Sequence, residues 1–339
     1  MSDVVLGLDT SNYRTSFAAV SVEGGILMNF RELLPVERGQ RGLRQSDAVY
    51  QHLKRLKSMT ESFRNAISGH RVVAVCASCA PRDRTDSYMP VFEVGDTLGG
   101  ILSAAMDVPF FRTDHQHGHI RAASAGTPLE RAEEYLALHL SGGTTDLLWF
   151  RNGTLSQIGG SMDLHIGQLI DRIGVAMGME FPAGPAMERL AREGNSRSLL
   201  GCSMEENGLY CHFSGAETKA LRLIGEGGIS REDLSREVYD LLARTTARML
   251  KAGHGKTGLR EALLCGGVAS SALFRELLNE RIRRGRIPVA VCFGDPGLSG
   301  DNAVGAAMIG ADRFRREFAR ENRKGKKENS EDLYGCEHS

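Results

Sequence analysis

Tyr135-Leu136-Ala137-Leu138-His139-Leu140-Ser141-Gly142-Gly143-Thr144-Thr145-Asp146-Leu147-Leu148-Trp149-Phe150 is an apolar run, a small polar turn and a second apolar run. Strand, glycine turn, strand is the pattern of a β-hairpin. Gly142 and Gly143 are free to take positive φ and to let a ligand approach the backbone. Successive N–H groups at such a turn form a nest for anionic oxygens, and serine and threonine hydroxyls add donors.

The stretch has a counterpart near the start of the chain. Val4-Val5-Leu6-Gly7-Leu8 runs to Asp9, a Thr10-Ser11-Asn12 turn follows, and Thr15 leads back into Ser16-Phe17-Ala18-Ala19-Val20. Two such hairpins, about 130 residues apart and one in each half, predict a duplicated α/β domain with a phosphate clamp between the copies.

Bulk properties bound the reading. A chain of 339 residues has room for two cores. Zero formal net charge predicts no global attraction to nucleic acid or membrane. No apolar run reaches the roughly 18 residues of a membrane helix, and the first residues read as a strand rather than a signal peptide. Seven cysteines, an odd number without a secretion signal, argue for reduced thiols and a cytoplasmic location.

Outward from the two hairpins, residues 26–30 predict a third strand, 31–46 a polar loop, and 47–68 one amphipathic helix carrying Val49, Leu53, Leu56, Met59 and Phe63. Residues 72–77 read as a buried strand, with Cys76 and Cys79 as structural thiols because no second cysteine pair has zinc spacing. Residues 94–106 predict a helix and 108–112 a short strand. Farther on, helices are expected over 162–177, from 187, over 230–253 behind a Ser230 cap, and over 303–323. Ala262 to Ser271 reads as strand, glycine turn and helix start, a place where a flat base and an anion are both tolerated.

The sharpest local signal is Thr113-Asp114-His115-Gln116-His117-Gly118-His119. With Thr113 or Asp114 as cap, His115 and His119 lie four apart on one helix face, a two-point metal grip. His117 points elsewhere. His139 and Asp301, the latter in Ser299-Gly300-Asp301-Asn302-Ala303, are the candidate further ligands; imidazole with carboxylate suits iron or zinc better than magnesium. Asp163 and Asp171, around the start of the 162–177 helix, are candidates to polarise water or meet a ribose.

Together these motifs resemble the TsaD family, bacterial threonylcarbamoyl transferases that make N6-threonylcarbamoyladenosine at position 37 of tRNA. The resemblance runs over roughly residues 4–315 with the motifs in order. It implies an α/β fold of two ribonuclease-H-like lobes, the actin/hexokinase/Hsp70 (ASKHA) type. Lobe I would span 1–125, completed by the 303–323 helix; lobe II would span 126–302; residues 324–339 would form a disordered charged tail. The family's metal pair looks like His115 and His119, its carboxylate ligand like Asp301, and a ligating position before the glycine loop like His139. One divalent metal is implied, Fe2+ first and Zn2+ second.

By the same resemblance, Thr10, Ser11 and Asn12 with His139, Leu140, Ser141, Gly142 and Gly143 would face the phosphates of ATP or threonylcarbamoyl-AMP. Asp171, Gly184, Gly267 and Ser271 would seat the adenosine, and Asp9, Ser141 and Asp163 would serve catalysis. The implied partners are tRNA as substrate and TsaB-like and TsaE-like proteins, with no membrane.

The chain also departs from the family. Tyr13 and Arg14 replace an acidic pair in the first hairpin, Ala80-Pro81-Arg82-Asp83-Arg84 replaces a glycine-rich segment, Gln168 replaces a glutamate and Ser271 an asparagine. These departures leave two other readings open: a divergent paralogue carbamoylating another acceptor, and a silent nucleotide-binding partner of a true TsaD.

Overall fold

A computed structural model describes residues 1–11, 14–35, 43–83 and 87–318. The chain divides into two compact units, one of residues 1–122 with 301 onward, the other of residues 123–300.

In the first unit, β1 (Asp3–Ser11), β2 (Arg14–Ser21) and β3 (Ile26–Leu33) form an antiparallel meander. β4 (Arg71–Ala80) and β5 (Phe110–Asp114) join it in parallel, giving the order β3-β2-β1-β4-β5. Alternate residues of β1 serve two cores. Leu6 and Leu8 pack with Phe17, Val75 and Ala77 on one face; Val5 packs with Ala74, Cys76, Phe111 and Ile309 on the other.

The helices of this unit are α1 (Gln45–Ser58), α2 (Thr60–Ile67), α3 (Phe92–Met106), α4 (His115–Ser124, which ends in the second unit) and a last one over 304–318. The single helix expected over 47–68 is thus two: both end and start at Met59, which turns its buried side chain into the core. Leu53, counted among the apolar positions, is 55% exposed. The strand expected to stop at residue 30 runs on to Leu33, and α1 starts inside the expected loop. Residues 36–42, 319–323 and the tail over 324–339 fall outside the described residues.

The second unit repeats the plan. β6 (Glu134–Leu140), β7 (Thr145–Arg151) and β8 (Thr154–Ser161) are antiparallel, and β11 (Glu261–Cys265) and β12 (Ala290–Phe293) continue in parallel from β6. Two short strands, β9 (Ser203–Met204) and β10 (Tyr210–His212), extend the far edge to the order β12-β11-β6-β7-β8-β10-β9. Its core joins that sheet to α5 (Ile166–Ala176), α6 (Gly184–Glu193), α7 (Ser214–Glu226), α8 (Arg231–Thr257) and α9 (Ala272–Arg284).

Ser230 caps α8 by accepting from the Asp233 N–H. The helix does not end at Gly253, as its sequence suggests, but at Gly258 in the left-handed conformation. Gly253 is buried inside it, with room beside Leu136 and Leu147 for no larger residue without a shift. The five shared strands and their order give the same ribonuclease-H-like half twice.

Candidate metal centre and nucleotide cavity

The first unit gathers charge at the carboxyl end of β1. Asp114 ends β5 and its Oδ1 accepts from the His117 N–H, so it caps α4 and fixes where the helix starts. His115 and His119 then share a face; their ring centroids are 4.4 Å apart and their Nε2 atoms 3.0 Å apart. Asp301, just before the last helix, brings Oδ1 to 3.6 Å from His115 Nε2 and 3.3 Å from His119 Nε2. That helix can come so close because Gly305 lies on Gly118 of α4: a Cβ at Gly305 would sit 1.8 Å from the Gly118 carbonyl oxygen.

Behind the pair, Asp9 is 1% exposed and its Oδ2 lies 2.8 Å from His115 Nδ1. Its Oδ1 accepts from the Ser11 N–H at 3.0 Å. A carboxylate on Nδ1 fixes that nitrogen as a donor and turns Nε2 outward, the usual second-layer support of a metal-bound imidazole. Burial opposes a charge on His115, but Asp9 and Asp301 outweigh it and hold its pKa well above the ordinary value. Burial likewise works against Asp301, while His115 and His119 hold its carboxyl well below the usual range.

The three donor atoms fit a divalent ion. Donors about 2.1 Å from one ion are roughly 3.0 Å apart at right angles and roughly 3.4 Å apart in a tetrahedron; the observed separations run from 3.0 to 3.6 Å. Among the described residues this is the group with metal-ligand spacing. His139 lies in β6 of the second unit, buried and opposite Asp146.

Other first-hairpin residues have structural duties. The Thr10 hydroxyl donates to the Val91 carbonyl at 2.8 Å and accepts from the Gly95 N–H at 3.1 Å, tying the strand end to α3. That leaves it no free donor for a phosphate. Thr15 is hydrogen-bonded to His52 Nδ1 at 2.8 Å beneath the hairpin, and burial pushes the His52 pKa down to about 4. Ser11 is buried, and Asn12 lies outside the described residues. Arg14 donates from Nη1 to the Asp301 carbonyl at 3.4 Å, while its Nε is buried without a hydrogen-bond partner among the described residues.

The second unit builds a different site. The Ser141–Thr144 loop is closed by the Ser141 N–H donating to the Thr144 carbonyl. Neither Gly142 nor Gly143 takes a positive φ; the small residue the loop requires is Gly167, at the start of α5, where a Cβ would lie 2.7 Å from Gly142 N. Leu140 is fully buried in β6. Beside the loop opens a cavity of about 430 Å³ lined by Gly142, Asp171, Gly184, Tyr239, Gly267 and Ser271 among others. Asp171 Oδ1 accepts from the Ala183 N–H at 2.8 Å, and burial raises its carboxyl pKa. The Tyr239 hydroxyl donates to the Gly184 carbonyl at 3.1 Å. Ser271 caps α9 by accepting from the Phe274 N–H.

Asp163 is not at this cavity's lining. Its carboxylate accepts from the N–H groups of Leu164, Phe213 and Ser214, and despite the cost of burial these bonds bring its pKa to about 2. A carboxylate held so firmly ionised is a poor proton acceptor, so its place is to join α5 to α7. Tyr239 and Gly167 were not among the expected residues. Tyr239 sits mid-helix, where nothing in the local pattern separates a cavity wall from core.

A model of the family described as "TsaD: tRNA N6-adenosine threonylcarbamoyltransferase" matches residues 48–308. The chain belongs to the TsaD family. A relative from Thermus thermophilus named tRNA N6-adenosine threonylcarbamoyltransferase is 30% identical over 93% of this chain and 94% of its own length. A second, a probable bifunctional tRNA threonylcarbamoyladenosine biosynthesis protein from Methanothermobacter thermautotrophicus, is 28% identical over 90% of this chain. The chain spans only 55% of that relative's length. Among solved structures, the ROK hexokinase of Thermus thermophilus superposes with a TM-score of 0.55 over 92% of this chain and 99% of its own, at 17% identity. This TsaD chain therefore has the actin/hexokinase/Hsp70-type fold. No helix among its described residues is long and apolar enough to cross a membrane.

Proposed function

We propose that this chain transfers a threonylcarbamoyl group from threonylcarbamoyl-AMP to N6 of adenosine 37 in tRNA. The observation that carries the reading is the His115–His119–Asp301 triad backed by Asp9, in a chain of the TsaD family. Two imidazoles and one carboxylate suit Fe2+ first and Zn2+ second. His139 is the candidate fourth ligand. When bound, the metal supplies Lewis acidity to a carbonyl oxygen.

The chain's own residues prepare the rest. Asp9 keeps the His115 Nδ1 proton in place, so Nε2 is the nitrogen that would exchange its proton for a metal. The cavity of the second unit takes the adenosine part of the nucleotide, with Asp171 offering its raised carboxyl to the ribose and Gly184 and Gly267 leaving space for the base. In the Ser141–Gly143 loop the Ser141 N–H goes to the Thr144 carbonyl and the Gly143 N–H to the Ser141 hydroxyl, which leaves the Gly142 N–H to meet the phosphate. Asp9, rather than Asp163, is the acid retained near the chemistry. TsaB-like and TsaE-like partners and a cytoplasmic location belong to the same reading.

Arg14 favours a second reading, carbamoyl transfer to another acceptor. Its guanidinium, beside Asp301, adds a positive charge where the resemblance leads one to expect an acid. The test is metal content, adenylate binding and transfer of labelled threonylcarbamoyl to tRNA, comparing the intact protein with a His115→Ala/His119→Ala variant. One bound metal, lost with transfer in the variant, supports the tRNA reading. Metal and adenylate bound without transfer, with partner proteins supplied, moves the assignment to another acceptor. No metal at all overturns the mechanism.

A further inference from the structure

The side of α8 that carries Tyr239 faces the cavity of about 430 Å³; a different stripe of the same helix faces a second cavity, of about 250 Å³. The wall of this second cavity carries Arg244, Arg248 and Lys251 from α8, Arg281 from α9, the buried Thr245 and the half-buried Cys202. Positions 244, 248 and 251 follow i, i+4, i+7, so the three cations leave the helix along one line.

Among the described residues, the carboxylate ion-paired to these cations is that of Asp240. Asp240, one turn earlier on that line and with 4% of its side chain exposed, pairs with Arg244 through Oδ2 at 2.9 Å and with Arg281 through Oδ1 at 2.5 Å. Arg244 also donates to the Leu200 carbonyl at 2.9 Å. Both guanidiniums are therefore held in place while only half neutralised. The Arg248 and Lys251 side chains are exposed and have no ion-pair or hydrogen-bond partner among the described residues.

Four cations against one carboxylate leave about three uncompensated positive charges around a small cavity, and like charges so gathered repel. A carboxylate ligand brings a single charge. A phosphate monoester brings about two and several acceptor oxygens, and guanidinium forks fit it in two-point fashion.

We propose that this cavity is a binding site for a phosphate group, with Arg244 and Arg281 as fixed donors and Arg248 and Lys251 as the mobile pair that completes the charge. A small phosphorylated molecule and a phosphodiester of RNA are the two sources of such a group, and the chemistry recognised is the same. The site does not depend on the transferase reading, because neither adenylate nor tRNA transfer enters its test.

Cys202 supplies the readout. It is half-buried in the cavity wall, and its hydrogen bond with Cys211 lowers its thiol pKa against the cost of burial. The experiment follows alkylation of each cysteine of the full chain by peptide mass spectrometry at matched ionic strength. Inorganic phosphate, glycerol 3-phosphate and a short single-stranded RNA are added in turn.

Inorganic phosphate is expected to slow alkylation of Cys202 at least about fivefold at concentrations several times its dissociation constant, leaving the other cysteines unchanged. An Arg248→Ala/Lys251→Ala variant, which removes two exposed side chains and should unfold at the same temperature, is expected to lose that protection. Protection by glycerol 3-phosphate but not by RNA assigns the site to a small ligand. Stronger protection by RNA than by either phosphate, with a steep salt dependence, assigns it to a phosphodiester. Unslowed alkylation in the wild type with all three probes, or equal protection in the double variant, overturns the proposal.

Discussion

The hairpins β1–β2 and β6–β7 occupy the same place among the five strands that the two sheets share, yet they end in opposite chemistries. The first ends among buried charges: Asp9 against His115, with His119 and Asp301 beyond. The second ends in a neutral glycine loop beside a cavity walled by Gly184, Tyr239 and Gly267. The strands are equivalent, and the difference lies in the helices that meet them. In the first unit a capped helix after β5 and the start of the last helix deliver imidazoles and a carboxylate. In the second, α5 delivers a glycine and one aspartate. A duplicated scaffold thus specialises through the starts of its helices while its sheet stays the same.

The largest effect expected from breaking the comparison comes at the charged end. In His115→Ala/His119→Ala, bound metal should be lost and transfer should fall on the order of 10³-fold, with nucleotide affinity changed by less than about twofold. Metal analysis and a nucleotide titration on one preparation check it; a parallel loss of nucleotide binding would show that the two sites are not separable.

Next is the layer beneath the first hairpin. His52 has a folded-state pKa near 4 against 6.5 when free, so the unfolded chain takes up its proton first and stability falls as pH drops from about 6.5 to 4. The loss is up to about 3 kcal/mol. Denaturant unfolding at several pH values, wild type against His52→Asn, isolates it. Asp114, whose carboxyl burial raises to about 6, pulls the other way over part of that window and cancels in the difference.

Smaller again is Asp9→Asn, expected to weaken metal affinity about 10–100-fold while leaving the triad's residues in place. Competition with a chelator measures it, and an unchanged affinity would reduce Asp9 to a packing residue. Smallest is Asp171→Asn at the neutral end, where adenosine nucleotide affinity should fall about tenfold, one charge-assisted hydrogen bond, with metal content untouched. If metal content fell instead, the division of labour between the units would need redrawing.

Much of the fold was readable because strand–turn–strand patterns and buried apolar runs are local. The hairpin at Asp9–Thr15 and that at Leu140–Thr145 needed only their own residues, and four-residue spacing alone sets His115 and His119 on one face. Contacts made across the chain were not readable. Thr10 looks like a phosphate donor until Val91 and Gly95 claim its hydroxyl. Asp163 looks like a base until two N–H groups fifty residues away occupy it. The interruption at Met59 is one residue wide and keeps helical φ and ψ, so it leaves no mark in the apolar spacing. Gly142 and Gly143 drew attention as flexible positions, whereas the crowding falls on Gly167.

Asp301 reaches α4 through the contact of Gly305 with Gly118, about 180 residues after the histidines it meets. During synthesis, β1 and α4 emerge long before that carboxylate, and the whole second unit is made in between. The nascent first unit can hold only two imidazoles and an aspartate behind them. On the proposed function, the full ligand set would assemble only when the last helix docks, so a chain cut before Asp301 would be the weaker chelator. A metal held by all three ligands would thereby mark a chain whose synthesis has run past Asp301.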